Sequence, residues 1–204
     1  MRIAMIGTGY VGLVSGVCFS DFGHDVVCVD RSEDKIAALR RGECPIYEPG
    51  LDGLLAKNAA AGRLRFTTDL REAVAGAEAV FIAVGTPTRR GGGHADLSHV
   101  YAAAAEIAAA LDGPALVVVK STVPVGTNAA VREILKDKRP DLDIQVASNP
   151  EFLREGAAIE DFMRPDRIVV GAETEAARET VRALYRPLSL REVPIVFTSL
   201  ESAE

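Results

Sequence analysis

Glycines at positions 7, 9 and 12 form a GxGxxG pattern in the stretch "GTGYVG". The pattern follows the apolar run "RIAMIG" and opens the helical stretch "YVGLVSGVCFSDFG". That context suits a dinucleotide. Gly7 permits a tight turn, Gly9 offers no side chain to block a pyrophosphate, and Gly12 lets helix and strand pack closely. Tyr10 and Val11 then fall at the helix amino end, where free N–H groups and a positive dipole face the phosphates. The next apolar run ends at Asp30, 18 residues after Gly12, close to the roughly 20 expected for an acid that binds the adenosine ribose. A carboxylate there accepts from both ribose hydroxyls and repels a 2′-phosphate, which favours NAD over NADP. Arg31 works against this preference, since an arginine can neutralise that phosphate. Lys35, one turn into the next helix, is placed either to cover the adenosine end or to serve as an ordinary surface lysine.

A second constellation is "SNPEFLREGA", in which Glu151 and Glu155 stand four apart. If the segment were helical, both carboxylates would share a face. Surface helices carry such pairs often, so the residues alone leave a solvated face as the simpler reading. The segment nevertheless follows the apolar run "DIQVAS", and α/β folds bind ligands at the carboxyl ends of their strands.

Strand-like and helical stretches alternate along the chain. "RIAMIG", "DVVCVD", "AVFIAV", "ALVVVK", "DIQVAS", "RIVVGA" and "PIVFTS" read as buried parallel strands, with "LRFTTD" a weaker eighth. "SEDKIAALRRG" starts at a capping Ser32 and stops at Gly42. "SHVYAAAAEIAAAL", "NAAVREILKD" and "TEAARETVRALY" are helical by composition or apolar spacing. The expected fold is α/β, a doubly wound, mainly parallel, Rossmann-type sheet of about eight strands with helices on both faces. One dinucleotide-binding domain is expected over residues 1–197. Thr198 and Glu201 fit a capping box, so 198–204 read as the start of a further helix in a longer protein. The glycine-rich "TRRGGGHAD" is expected to be the loosest segment.

Composition sets bounds. The 204 residues are 48% hydrophobic and 25% charged, enough to bury a sizeable core. A net charge of −6 without blocks of like charge argues against a nucleic-acid partner. No apolar run approaches the roughly 20 residues of a membrane span, and no leader pattern is evident. Cys18, Cys28 and Cys44 form no CxxC pair, consistent with the reducing cytoplasm and with small core residues. His24, His94 and His99 read as surface or capping residues, and no metal-ligand spacing is present.

The motifs "MRIAMIGTGYVGLVSG", "PIYEPGL", "AVGTPT", "KSTVPVGT", "SNPEFLREG" and "PDRIVVG", in this order, resemble the amino-terminal part of the UDP-glucose/GDP-mannose dehydrogenase family, the nucleotide-sugar 6-dehydrogenases. The resemblance covers essentially the whole chain. It implies two successive NAD-dependent oxidations of the C6 alcohol of a nucleotide sugar, through a cysteine-bound thiohemiacetal and thioester that water then hydrolyses. UDP-glucose, giving UDP-glucuronate, is the expected substrate. GDP-mannose and UDP-N-acetylhexosamines are alternatives, as is a nucleotide-binding module without catalysis.

The resemblance carries cofactor roles to Gly7, Gly9, Tyr10, Val11, Gly12, Asp30, Lys35, Thr86, Thr122 and Glu155. It makes Glu151 the general base for hydrolysis and places Glu155 between nicotinamide and substrate. Thr122 would hold an active-site water, and Phe152 and Leu153, with both glutamates, would line the sugar pocket. The family's nucleophilic cysteine and its catalytic lysine, asparagine and aspartate are expected beyond Glu204. Dimerisation or higher assembly would run mainly through the central helix.

Overall fold

The computed structural model describes residues 1–88 and 94–204; the centre of the glycine-rich stretch expected to be loosest, 89–93, lies outside the described residues. Its strands are β1 (Arg2–Ile6), β2 (Asp25–Val29), β3 (Leu64–Thr67), β4 (Ala79–Ile82), β5 (Ala115–Val119), β6 (Ile144–Ser148), β7 (Ile168–Ala172) and β8 (Ile195–Thr198). Its longer helices are α1 (Tyr10–Asp21), α2 (Glu33–Arg40), α3 (Leu51–Ala60), α5 (Ser98–Ala110), α6 (Thr127–Lys138) and α8 (Glu175–Leu184). Shorter ones are α4 (Leu70–Val74), α7 (Ala158–Met163), α9 (Arg186–Ser189) and α10 (Leu200–Ala203).

The strands form one sheet in the order β3-β2-β1-β4-β5-β6-β7-β8. The order reverses between β1 and β4, so their carboxyl ends diverge into a crevice. Ile6 pairs in register with Val29 of β2 and with Ile82 of β4, which brings the residues after all three strands to one rim. The strands are near-continuous apolar runs because both faces are covered. Ile3, Met5, Leu116 and Val118 pack on one side with α1, α3, α7 and α8. Ala4, Ile6, Val117 and Val119 pack on the other with α4, α5 and α6.

Four sequence expectations change. β7 runs antiparallel to β6. The connection between them, a loop and the six-residue α7, is about 9 Å of helix at 1.5 Å per residue. It does not return to the amino ends of the strands, so β7 starts at the carboxyl rim. β8 is an edge strand and only partly buried. The last helix is capped by Ser199, whose hydroxyl accepts from Ser202 N–H at 3.2 Å, while Thr198 still belongs to β8. His24 is buried, not at the surface, and keeps only the capping half of its expected role: its Nε2 lies 2.9 Å from Leu184 O at the end of α8, tying that helix to the α1–β2 turn.

Candidate active site

The three glycines of the first turn divide by their surroundings. Gly7 has φ +101°, and a Cβ there would lie 2.7 Å from Ala83 O. A Cβ on Gly12 would lie 2.0 Å from Gly7 O. Both positions are fixed by the fold. Gly9 differs: its backbone is extended (φ −69°, ψ −174°) and a Cβ would meet nothing within 4 Å. The space beside it belongs to a cleft of about 730 Å³ whose wall includes Gly7, Gly9, Asp30, Lys35, Thr86 and Glu106. That volume suits a small-molecule or cofactor site. The first helical bond of α1 is Leu13 N–H to Gly9 O, 2.9 Å. The N–H groups of Tyr10, Val11 and Gly12 precede it, and no acidic side chain occupies the first turn, which leaves these donors for phosphate. The open cradle at Gly9 and these donors fit a dinucleotide pyrophosphate.

Asp30 follows β2 and is held on all sides. Its Oδ2 accepts from Thr8 N–H (2.9 Å), Thr8 Oγ1 (2.7 Å) and Lys35 Nζ (3.0 Å), and its Oδ1 from Ser32 N–H (3.0 Å). Burial raises the carboxyl's pKa, but the bonds from Ser32, Thr8 and Lys35 outweigh it and bring it down to about 2. Asp30 is therefore ionised at any working pH. Lys35 clamps this carboxylate at the wall of the cleft. Arg31 is exposed and ion-paired with Glu106 of α5, so a second carboxylate stands where a 2′-phosphate would have to recruit that arginine. The expected result in a calorimetric titration is NAD binding clearly tighter than NADP. Asp30→Ala should weaken NAD by about 1–3 kcal/mol, the value of a charged hydrogen-bond partner, and narrow the gap; equal affinities for the wild-type protein would contradict this.

The segment expected to carry the chemistry lies along the same rim. Val119 pairs with Ser148, so the ends of β5 and β6 are level. Thr122 is exposed just after β5, and its carbonyl accepts from Thr86 Oγ1 at 3.1 Å, tying the loops after β4 and β5 together. Residues 151–154 have no regular structure and a turn follows at 155–157. Glu151 and Glu155 thus share no helix face. Pro150 and the left-handed Gly156 (φ +87°) flank the loop, and neither suits a helix interior. Glu151 turns back, its Oε2 accepting from Leu153 N–H at 2.6 Å. Phe152 is 68% exposed. Glu155 is exposed and close enough to Tyr10 for its charge to act on the phenol.

Two residues the sequence reading did not single out complete the site. Lys120, the last residue of "VVVK", is buried at the base of the loop. Its Nζ lies 3.3 Å from Asn149 Oδ1, an oxygen that also accepts from Tyr185 OH at 2.5 Å. Lys120 and Glu151 line one small cavity of about 60 Å³. Burial lowers the Lys120 pKa to about 8, and the Glu151 charge opposes that fall. The other is Glu48, from the stretch "PIYEPGL". It is 5% exposed and accepts from Gly156 N–H (2.8 Å), Ala158 N–H (2.9 Å) and the Tyr10 hydroxyl. Burial opposes its charge, yet these bonds hold its carboxyl below the ordinary value. Burial and the Glu48 bond together push the Tyr10 phenol up to about 12.

Two of the three cysteines expected in the core lie there, while Cys44 is half-buried in the loop after α2. Cys18 and Cys28 are fully buried, and burial raises both thiols to about 12; burial also raises Cys44. None has the thiolate character of a nucleophile. Among the described residues, no group of three or more His, Cys, Asp or Glu side chains could hold a metal ion, and no helix is long and apolar enough to cross a membrane.

Comparison with known proteins identifies the family. A model of the UDP-glucose/GDP-mannose dehydrogenase family, NAD binding domain, matches residues 1–189. A UDP-glucose 6-dehydrogenase of Rhizobium meliloti is 64% identical over 206 residues, covering 100% of this chain and 47% of that protein. One of Pseudomonas aeruginosa is 49% identical, covering 100% of this chain and 46% of that protein. Among solved structures, a ternary complex of GDP-mannose dehydrogenase from Pseudomonas aeruginosa superimposes with a TM-score of 0.93 at 38% identity, over 100% of this chain and 47% of the other. A UDP-glucose dehydrogenase from Pyrobaculum islandicum gives 0.92 at 42% identity, over 98% and 46%. The chain spans about half the length of the curated relatives it matches. With its glycine turn, its ionised Asp30 and a family match across residues 1–189, this chain belongs to the UDP-glucose/GDP-mannose dehydrogenase family and forms that family's NAD-binding domain.

Proposed function

We propose that this domain serves an enzyme that oxidises the C6 alcohol of UDP-glucose twice, to UDP-glucuronate. The observation that carries this reading is the convergence of the Gly9 cleft and the Glu151–Glu155 loop on one rim of the sheet. This convergence supports a cofactor and a pair of carboxylates acting on one substrate. NAD, when bound, supplies the hydride acceptor for each oxidation. The chain's own residues do the rest. The amide groups at the start of α1 hold the pyrophosphate, and Asp30 holds the ribose. Thr86 and Thr122 shape the cleft between them, with the Thr122 hydroxyl positioned to hold a water. Glu151 takes a proton from the water that attacks the thioester the family resemblance implies. Glu155 faces the nicotinamide end, and Phe152 and Leu153 line the sugar side.

The thiol is proposed to come from the part of the relatives that this chain does not span, since Cys18 and Cys28 are sealed in the core. On the same ground, α10 is proposed as the first turn of a central helix through which the full-length protein forms a homodimer or a larger assembly. GDP-mannose is the second reading, favoured by the likeness to GDP-mannose dehydrogenase at a TM-score of 0.93. The relatives named for UDP-glucose are the more similar in sequence, at 64% and 49% identity against 38%. Initial rates of the full-length protein with NAD and a panel of nucleotide sugars decide between them. The expected order puts UDP-glucose first in kcat/KM; a preference for GDP-mannose or a UDP-N-acetylhexosamine would replace this substrate.

A further inference from the structure

Glu48 lies far from both cofactor and substrate elements in sequence, 38 residues from Tyr10 and 108 from Gly156, yet it bonds to both. Its position is on the loop between α2 and α3. One carboxylate oxygen receives the Tyr10 hydroxyl and Gly156 N–H; the other receives Ala158 N–H. Tyr10 is the first residue of the dinucleotide helix, and its own N–H is one of the phosphate donors. Gly156 and Ala158 close the loop that carries Glu151 and Glu155 and start α7. Further anchorage lies on α7 itself: Arg154 N–H and its guanidinium bind Asp161 at 2.8 and 2.6 Å. Those contacts fold the loop on its own helix. The link to α1 runs through Glu48 and the Tyr10 hydroxyl: the phenol donates to Glu48 and also lies 3.3 Å from Gly156 N–H and 3.4 Å from Arg154 O, so the Glu48 carboxylate, with its shorter bonds of 2.8 and 2.9 Å to the loop, is the centre of that junction.

We propose that Glu48 is the positioning residue that fastens the carboxylate-bearing loop to the first turn of the dinucleotide helix, so that cofactor and loop share one rigid frame. The proposal rests on the functional reading above for its kinetic part and on geometry alone for its structural part. Three donors converge on one carboxylate, and only an ionised acid accepts all of them. A glutamine keeps the shape but turns one acceptor oxygen into an NH₂ group that confronts Gly156 N–H, the phenol or Ala158 N–H. Misplacing a catalytic loop by about 1 Å costs on the order of a hundredfold in rate.

The test uses the full-length protein with Glu48→Gln and Tyr10→Phe. In Glu48→Gln, hydrogen exchange of the 151–158 segment should speed by about 10- to 100-fold, the loss of a charged hydrogen bond. The kcat for UDP-glucose should fall by a similar factor while the NAD dissociation constant moves by less than about threefold, because the phosphate donors are backbone groups. A purely structural role would not separate kcat from cofactor affinity in this way. Tyr10→Phe removes the hydroxyl's bonds to Glu48, Gly156 N–H and Arg154 O, and because the two residues share one junction, the double variant should cost less than the sum of the single ones. Wild-type exchange of 151–158 in folded Glu48→Gln overturns the proposal, and so does faster exchange with unchanged kcat. If Glu48→Gln does not fold, Tyr10→Phe gives the same readout, and unchanged exchange at 151–158 again overturns it. Should the wild-type protein turn over no nucleotide sugar, the substrate reading falls, while the exchange result still decides the role of Glu48.

Discussion

Glu151→Gln in the full-length protein is expected to reduce NAD in a fast initial burst and then turn over about 10²–10⁴-fold more slowly than wild type, the usual cost of losing a general base. The substitution is close to silent structurally. Glu151 Oε2 accepts from Leu153 N–H at 2.6 Å, and a glutamine oxygen can accept the same bond. What is lost is the basic lone pair. Hydride transfer does not need it, so both oxidations proceed as far as the thioester; hydrolysis does, so an acyl adduct accumulates. Mass spectrometry of the stalled enzyme should show the covalent sugar. Turnover at the wild-type rate without an adduct would reduce the 151–155 loop to a binding element and move the base elsewhere, with Lys120 in the shared cavity the next residue to examine.

The second large effect is at Gly9. Gly9→Val should leave the sheet folded and abolish NAD binding at concentrations that saturate the wild-type protein. The extended backbone suits valine, and its Cβ would meet nothing within 4 Å. The cost to the fold is confined to a poorer helix cap, about 1 kcal/mol. The added methyl groups occupy the space beside the α1 amide groups, where the pyrophosphate has to sit. Gly12→Ala is the contrasting control: its Cβ would lie 2.0 Å from Gly7 O, so it should damage the turn itself and lower the melting temperature. A folded Gly9→Val that still binds NAD would place the phosphates away from this turn.

The parts of this site that were legible in the sequence are those whose physics is local. The glycine turn, the capping Ser32 and the position of Asp30 each follow from a few neighbouring residues, and the structure places them as read. Buried strands announce themselves because β-branched runs such as "ALVVV" have no polar face. Strand direction is not local: "RIVVGA" reads the same either way, and only the short path through α7 makes β7 antiparallel. The spacing of Glu151 and Glu155 suggested a helix, but Pro150, Gly156 and the Arg154–Asp161 pair impose an irregular loop. Lys120 looks like a lysine that ends a strand in solvent; its burial comes from Phe162, 5.8 Å away at the ring centre, and from the Asn149–Tyr185 pair. Glu48 could not be read at all, because its partners are 38 to 110 residues away. The ten-residue α3 and the short α4 escaped notice because neither carries a long apolar period.

The most direct measurement is the amount of NADH formed per UDP-glucose when the full-length protein is given limiting sugar and excess NAD. Two oxidations of one carbon, with Glu151 releasing the product by hydrolysis, predict two NADH per sugar and UDP-glucuronate as the only product. One NADH per sugar with an aldehyde product, or none at all, would contradict the account.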